Sequence, residues 1–166
     1  MRTLKEEMLH WQGVARQGDP DACRESMSGT VRQEKPFKTE GRFGHHVVHI
    51  DEPKSFGGGD TAANPAEVLF AGVGACIAVT LRCHAALRDI KVGAIEVSLS
   101  GNMDVRGFFD ADPKVRSGFQ SIDIGVKVES DASPAQLKEL MAAMDRGCPV
   151  LDTVRGATPV KLELRS

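Results

Sequence analysis

The chain has 166 residues, a formal net charge of −2 at pH 7 and 27% charged residues. This length suits one domain with a short extension. The balanced charge gives no electrostatic reason to expect nucleic acid or an anionic membrane as a partner. The chain opens with a charged segment and not with the apolar stretch of a secretory signal, so we expect a cytoplasmic location.

The first 26 residues are expected to form a helical extension that precedes the main domain, residues 27–166. A helix is predicted over residues 3–17, because apolar side chains recur there at helical spacing, namely at Leu4, Met8, Trp11 and Ala15. Gly18 ends this helix, and Asp19 is suitably placed to cap a second short helix from Pro20 to Glu25.

Three short strands are predicted next, separated by proline or glycine: residues 28–34, 37–43 and 45–51. The third strand carries His45, His46 and His49. Strand alternation places His46 on the opposite face from the other two, so we expect no metal site there. Gly57-Gly-Gly then begins a loop that is either mobile or held close to other backbone.

A long helix from Pro65 to about Arg88 is the element around which the chain is organised. Asn64 is a favourable N-cap, Pro65 suits the first helical position, and Glu67 completes a capping box. No charged residue occurs from Val68 to Leu81, so we expect the helix to be buried on every face. This apolar run is shorter than the roughly 20 residues of a membrane span.

Small residues in this helix are expected to let another backbone, most simply a second helix, approach closely: Ala71, Gly72, Gly74 and Ala75. Each glycine costs about 1 kcal/mol relative to alanine in a helix, so close approach is the reason that we assign to them. Thr80 carries the one hydroxyl group between Val68 and Leu81.

The second half of the chain mixes strands and helices. Alternating apolar residues predict strands over residues 94–100, 121–128 and 159–164. The first two should pair as a long hairpin, and the third should be an edge strand. Cap residues and prolines predict helices from Ser133 to about Asp145 and from Cys148 to about Val154. The expected class is α+β with mostly antiparallel pairing.

The chain has four cysteines: Cys23, Cys76, Cys83 and Cys148. They include no Cys-x-x-Cys motif and no Cys/His spacing typical of zinc. In a reducing compartment they are more consistent with packing or redox chemistry than with a disulfide framework. Cys83 lies about 10 Å along the helix from Cys76, too far for a bridge, so we interpret it as packing.

Cys76 and Cys148 differ in their local environments. Apolar burial in mid-helix raises a thiol pKa, so a reactive Cys76 requires a positive charge, for which Arg32 and Arg42 are the nearest candidates along the sequence. Cys148 lies at a helix start, where free N–H groups favour the thiolate, so on local grounds it is the more acidic thiol. The alternatives are a packing role for Cys76 and a serine-like capping role for Cys148.

Several segments together resemble the OsmC/Ohr family: Asp51-Glu-Pro53, Gly57-Gly-Gly-Asp60, Asn64-Pro-Ala-Glu-Val-Leu-Phe-Ala-Gly-Val-Gly-Ala-Cys76, and Cys148-Pro-Val150 followed by Thr158-Pro-Val160. The resemblance covers about residues 27–164. It is closer to the broader OsmC-like group than to typical Ohr proteins, because Ala66 stands where the well-studied peroxidases have a glutamate, and Glu67 takes the next position. The resemblance implies an intertwined homodimer, with antiparallel sheets wrapped around long, buried central helices.

The resemblance also implies an activity. Active members reduce organic hydroperoxides, and some reduce hydrogen peroxide, without metal or flavin. Carried over, Cys76 forms a sulfenic acid, Cys148 resolves it as a disulfide, and a dithiol such as a dihydrolipoyl protein restores both thiols. The resemblance implies a glutamate that holds the arginine activating Cys76. Glu67 is first a cap residue, and orienting such an arginine is its second candidate role. Arg32 and Arg42 are the candidate arginines, and the alternative for each is a solvated surface residue. The alternative is a non-catalytic OsmC-like module that binds a small apolar or electrophilic ligand at the dimer interface.

Overall fold

The computed structural model describes residues 2–165, which divide into two compact units, one ending at Gly72 and the other starting at Val73. The first unit begins with α1 (Leu4–Gln17), as predicted. Its N-terminus has a capping box that the sequence analysis did not identify. The Thr3 hydroxyl accepts a hydrogen bond from the Glu6 N–H at 3.3 Å, and the Glu6 carboxylate accepts one from the Thr3 N–H at 2.7 Å.

The predicted second helix from Pro20 to Glu25 was wrong, because this segment forms only a turn. The Asp19 carboxylate accepts a hydrogen bond from the N–H of Asp21 at 3.0 Å. This arrangement is an Asx turn, in which the side chain takes over a backbone donor and competes with helix formation.

A three-stranded antiparallel sheet follows in the order β1-β2-β3, with β1 (Thr30–Gln33), β2 (Thr39–Phe43) and β3 (His46–Ile50). The three predicted strands are confirmed, each slightly shorter than predicted. His45 lies in the turn before β3, and its ring centroid is 3.9 Å from that of His46, so strand alternation does not separate these two rings. Residues 2–165 contain no group of three side chains suitably placed to hold a metal ion.

The loop after β3 is held in place by a buried carboxylate. Asp51 is 1% exposed and accepts hydrogen bonds from the Thr61 hydroxyl at 2.7 Å and from the N–H groups of Glu52, Gly59 and Thr61. These bonds, led by that of the Thr61 hydroxyl, lower the pKa of Asp51 to about 2. An added Cβ at Gly58 would lie 1.9 Å from the Glu52 carbonyl oxygen. The glycine-rich loop therefore has backbone held close to its neighbours.

After a 3-10 helix (Lys54–Phe56), α2 spans Pro65–Leu87. Its predicted capping box is present: the Asn64 side chain accepts from the Glu67 N–H at 2.9 Å, and the Glu67 carboxylate accepts from the Asn64 N–H at 2.8 Å. With 23 residues, α2 is long and apolar enough to cross a membrane by length and composition alone, a test that core helices of soluble proteins also pass. The length argument against a membrane span was therefore wrong.

The second unit contains the rest of α2, a β-hairpin and three further helices. Strands β4 (Ile95–Asn102) and β5 (Ser121–Val128) pair in antiparallel register along their whole length. The short α3 (Val105–Phe108) lies in their connection, and α4 (Pro134–Gly147) and α5 (Pro149–Arg155) follow. The hairpin, α4 and α5 were predicted, whereas α3 was not.

The predicted last strand, residues 159–164, was wrong for the isolated chain. No strand is assigned there, and Val160, Leu162 and Leu164 are 85%, 95% and 102% exposed. Their alternation satisfies the side-chain pattern of a strand. A strand also needs a hydrogen-bonding neighbour, and no strand between residues 2 and 165 pairs with this segment.

One side of α2 forms the core of the second unit. Its apolar face packs against side chains from α4, α5 and the residue between them; the cluster comprises Val73, Ile77, Leu81, Ala85, Leu140, Met144, Cys148 and Leu151. Gly74 lies against the hairpin, because an added Cβ there would be 3.0 Å from Leu99 Cδ1. This glycine therefore permits the approach of β4 and not, as expected, of a second helix.

The opposite side of α2 is exposed, so the prediction of burial on every face was wrong for the single chain. Val79 is 61% exposed, and Gly72 and Ala75 are exposed as well. An added Cβ at Gly72 would meet nothing within 4 Å. Gly72, Ala75 and Val79 share one face of the helix and form what we call the open stripe.

Candidate thiol site

Two cysteines that are distant in sequence meet in the second unit. Cys76 lies in the middle of α2 and is half-buried, whereas Cys148 lies between α4 and α5 and is 1% exposed. Cys76 packs against the buried apolar cluster that contains Cys148. All four cysteines are free thiols, so both members of this pair are reduced.

Local sequence explains how Cys148 reaches α2. Cys148 ends α4 and also caps α5, with an extended backbone (φ −87°, ψ 105°), and Pro149 occupies the first position of α5. Gly147 allows this junction to approach α2, because an added Cβ there would be 2.9 Å from His84 Nε2 and 3.8 Å from Thr80 Cγ2. The glycine and the proline together direct the Cys148 side chain into the core.

Burial decides the acidity of Cys148. Desolvation raises the pKa of its thiol, and both the hydrogen bond with Cys76 and the negative charge of a Cys76 thiolate raise it further. The Leu151 N–H and the Thr80 hydroxyl lower it, but the net pKa is raised. The expectation that the helix start makes Cys148 an acidic thiol was therefore wrong, because loss of hydration outweighs the helix start.

The remaining two cysteines lie outside this pair. Cys83 is half-buried on α2, and burial raises the pKa of its thiol, consistent with the packing role that we assigned. Cys23 is exposed in the first unit, where its thiol donates to the Val14 carbonyl at 3.8 Å.

Two polar residues near the pair were not identified as functional from the sequence. Thr80 follows Cys76 by one helical turn, and His84 follows Thr80 by another. Arg88 Nη1 is 3.1 Å from His84 Nδ1, and it also donates to the His84 carbonyl at 3.0 Å. Burial and the charges of Arg88 and Arg146 lower the pKa of His84. Both residues could have been identified from the sequence, because polar residues recur at every fourth position of this otherwise apolar helix.

The predicted supporting residues belong to the first unit, where each has its own partner. Glu67 is exposed and caps α2. Arg32 Nε pairs with Glu34 at 3.0 Å, and Arg42 Nε pairs with Glu40 at 2.7 Å. The two arginine side chains are 80% and 63% exposed and line a cavity of about 560 Å³. Their assignment to the activation of Cys76 stays a prediction.

A family model described as OsmC-like protein matches residues 57–163, which include both members of the thiol pair. The chain belongs to the OsmC-like family. The predicted family and the α+β class with antiparallel sheets and a long helix are thereby confirmed. No curated protein matches this OsmC-like chain in sequence.

Three solved structures illustrate the fold that this chain shares. The OsmC-like protein of Mycoplasma pneumoniae has a TM-score of 0.70 at 17% identity, covering 80% of this chain and 89% of its own. An organic hydroperoxide resistance protein of Elizabethkingia anophelis has a TM-score of 0.61 at 20% identity, covering 81% and 91%. The organic hydroperoxide resistance protein OhrB of Bacillus subtilis has a TM-score of 0.54 at 26% identity, covering 85% and 98%.

Proposed function

We propose that this OsmC-like chain is a thiol peroxidase that reduces organic hydroperoxides, with Cys76 as the attacking thiol and Cys148 as the resolving thiol. The observation that carries the proposal is that Cys76 packs against the buried cluster that contains Cys148, 72 positions later in the chain. Membership of the OsmC-like family and the fold shared with two organic hydroperoxide resistance proteins support a peroxide-related role.

The environments of the two thiols support this division of roles. Cys148 is buried and its pKa is raised, so it keeps its proton at neutral pH until the resolving step. Cys76 is only half-buried and is therefore more accessible to a peroxide.

The reaction balances with these two thiols alone. The Cys76 thiolate attacks the outer oxygen of ROOH, the O–O bond breaks, and the alkoxide takes a proton to leave as ROH. Cys76 is then a sulfenic acid. Cys148 attacks that sulfur, an S–S bond forms, and hydroxide leaves with the proton of Cys148 as water. Each thiol contributes one of the two electrons that reduce the peroxide.

An external dithiol completes the cycle, and we propose a dihydrolipoyl protein as its chemical class. One of its thiolates attacks the disulfide to give a mixed disulfide, and its second thiol displaces the remaining protein sulfur. The products are the two protein thiols and an oxidised dithiol. Hydrogen peroxide is a further substrate by the same steps, with water as the first product.

We also propose that the working form is a homodimer. The open stripe on α2 exposes small and apolar residues that a second copy of α2 would cover. The apolar side chains of residues 159–164 are exposed as well, in a segment that has the strand pattern but pairs with no strand among residues 2–165. A second copy offers both a helix and strands to these surfaces.

A steady-state assay tests the proposal. Wild-type protein should reduce cumene hydroperoxide with dihydrolipoamide as the electron donor, and Cys76→Ser should abolish turnover. Cys23→Ser removes an exposed thiol of the first unit and is the matched control, which should retain wild-type turnover. A wild-type protein without turnover would instead favour the non-catalytic module, and binding of a small apolar ligand would then be measured by calorimetry.

A further inference from the structure

The three-stranded sheet of the first unit has one charged face and one apolar face. The antiparallel register places Arg32 opposite Glu40 and Glu40 opposite His49, so these three side chains share a face. Val31 and Val48 lie on the other face, both opposite the same residue of β2. In an antiparallel sheet of this kind, the polar face is the one that meets solvent. The charged face is therefore the surface that a dissolved ligand can reach.

This face borders the cavity of about 560 Å³ that the two arginines line. Its volume lies within the range of pockets that hold small molecules. Besides His49, the charged residues of its lining are four cations and two carboxylates: Arg32, Lys35, Lys38, Arg42, Glu34 and Glu40. With the histidine neutral, the lining has a net formal charge of +2, whereas the whole chain has −2. Such a local excess of one sign raises the concentration of the opposite ion in the cavity.

The four cations have donors available for a ligand. Arg32 and Arg42 each pair with a glutamate through Nε, at 3.0 and 2.7 Å, and their Nη groups make no hydrogen bond with residues 2–165. Lys35 and Lys38 form no ion pair with a carboxylate in that part of the chain. Exposed ion pairs such as those of the arginines contribute little stability by themselves. An incoming anion therefore meets donors that the fold does not otherwise use.

A strained turn between β1 and β2 carries the two lysines. Phe37 has a φ of 68°, and the Lys38 N–H donates to the Pro36 carbonyl across it at 3.0 Å, which is a γ-turn of a rare and strained form. The Phe37 ring packs edge-on against Phe56, with centroids 5.9 Å apart, and holds the turn. Backbone strain of this kind persists where the surroundings enforce it, and it is common at ligand-binding segments.

We propose that this cavity binds a small phosphate-bearing anion, either free phosphate or a phosphate monoester, through the two arginines and two lysines of its lining. A phosphate group carries a charge of about −1.5 to −2 at pH 7, which matches the local excess of +2. Guanidinium groups donate in pairs to phosphate oxygens, and lysines add point charges. The cavity belongs to the first unit and the thiol pair to the second, so this inference does not rest on the peroxidase function.

Isothermal titration calorimetry at low ionic strength measures binding, with inorganic phosphate and glycerol 3-phosphate as separate probes. The test variant is Lys35→Gln/Lys38→Gln, which removes two cations of the lining. The matched control is Lys91→Gln/Lys127→Gln, which removes two exposed lysines of the second unit and changes the net charge equally. Circular dichroism checks that both variants keep the fold.

The wild-type protein should bind at least one phosphate probe with one site per chain. The test variant should raise the Kd by about tenfold or more, as expected for the loss of two charges beside an anion, and the control should stay near wild type. In NMR spectra, the amide signals that shift on binding should be confined to residues 30–42 and 49, which enclose the cavity. Binding of inorganic phosphate alone would identify the free ion, and tighter binding of glycerol 3-phosphate would identify an ester.

Three results would overturn the proposal: no binding by the wild-type protein, equal weakening in the test and control variants, or shifted amide signals only outside the cavity. Succinate, a dicarboxylate of the same charge, tests the choice of phosphate, and succinate binding as tight as that of both probes would also overturn it. None of these measurements depends on peroxide turnover, so this site and the proposed peroxidase function can fail separately.

Discussion

The half-buried thiol of Cys76 on α2 packs against the core cluster that contains the buried thiol of Cys148, between α4 and α5. Removal of the Cys148 thiol is expected to stop the reaction after its first step. Cys148→Ser should still allow Cys76 to react once with a hydroperoxide, because the attacking thiol is unchanged. The sulfenic acid then lacks a resolving thiol, so it should persist and react quantitatively with dimedone, and turnover should stop.

The control for this experiment is Cys83→Ser, which removes the other half-buried thiol of α2. It should turn over like the wild type and give no persistent dimedone adduct. A persistent adduct in Cys83→Ser, with none in Cys148→Ser, would mean that Cys83 resolves the sulfenic acid.

A substitution at Gly74 should destabilise the chain by overpacking. An added Cβ would lie 3.0 Å from Leu99 Cδ1, in the contact between α2 and β4. We expect Gly74→Val to lower the free energy of unfolding by about 1–3 kcal/mol, measured by urea denaturation. Gly13→Val on α1 is the matched control, because an added Cβ there meets nothing within 4 Å, and it should have little effect.

The open stripe provides a test of the homodimer. Gly72→Leu adds a large side chain where the single chain has open space, so the fold of the chain should survive. If a second α2 covers the stripe, the leucine should separate the two helices and convert dimer to monomer in sedimentation velocity. Gly13→Leu, at an equally open helical glycine, should leave the oligomeric state unchanged. A wild-type monomer, or an unaffected Gly72→Leu dimer, would contradict this placement of the interface.

Asp51 should make stability depend on acid pH. The pKa of Asp51 in the folded protein is about 2, below the ordinary aspartate value of 3.8, so Asp51 contributes stability that is present above pH 3.8 and is lost as the pH falls towards 2. Asp51→Asn should lower the denaturation midpoint at pH 7 and flatten its dependence on pH between 4 and 2. Asp123→Asn, at an exposed carboxylate on β5, should leave both unchanged. Equal acid sensitivity of wild type and Asp51→Asn would show that other carboxylates dominate.

Local sequence patterns predicted the secondary structure but not the environments of the side chains. Capping boxes at Asn64 and Ser133 predicted where α2 and α4 begin, because a cap is a local interaction. The prediction that Cys148 is an acidic thiol was wrong because the acidity depends on burial against α2, which is a long-range contact. The predictions of full burial for α2 and of a strand at residues 159–164 were wrong for a related reason. Each pattern specifies an apolar surface but not what covers it.

The most direct test of the account is to map the disulfide formed by one turnover. The reduced wild-type protein receives one equivalent of cumene hydroperoxide, the remaining thiols are alkylated, and peptides are analysed by mass spectrometry without reduction. The account predicts one new bridge, between Cys76 and Cys148, with Cys23 and Cys83 still free and alkylated. A protein that keeps all four thiols, or a bridge that omits Cys148, would contradict it.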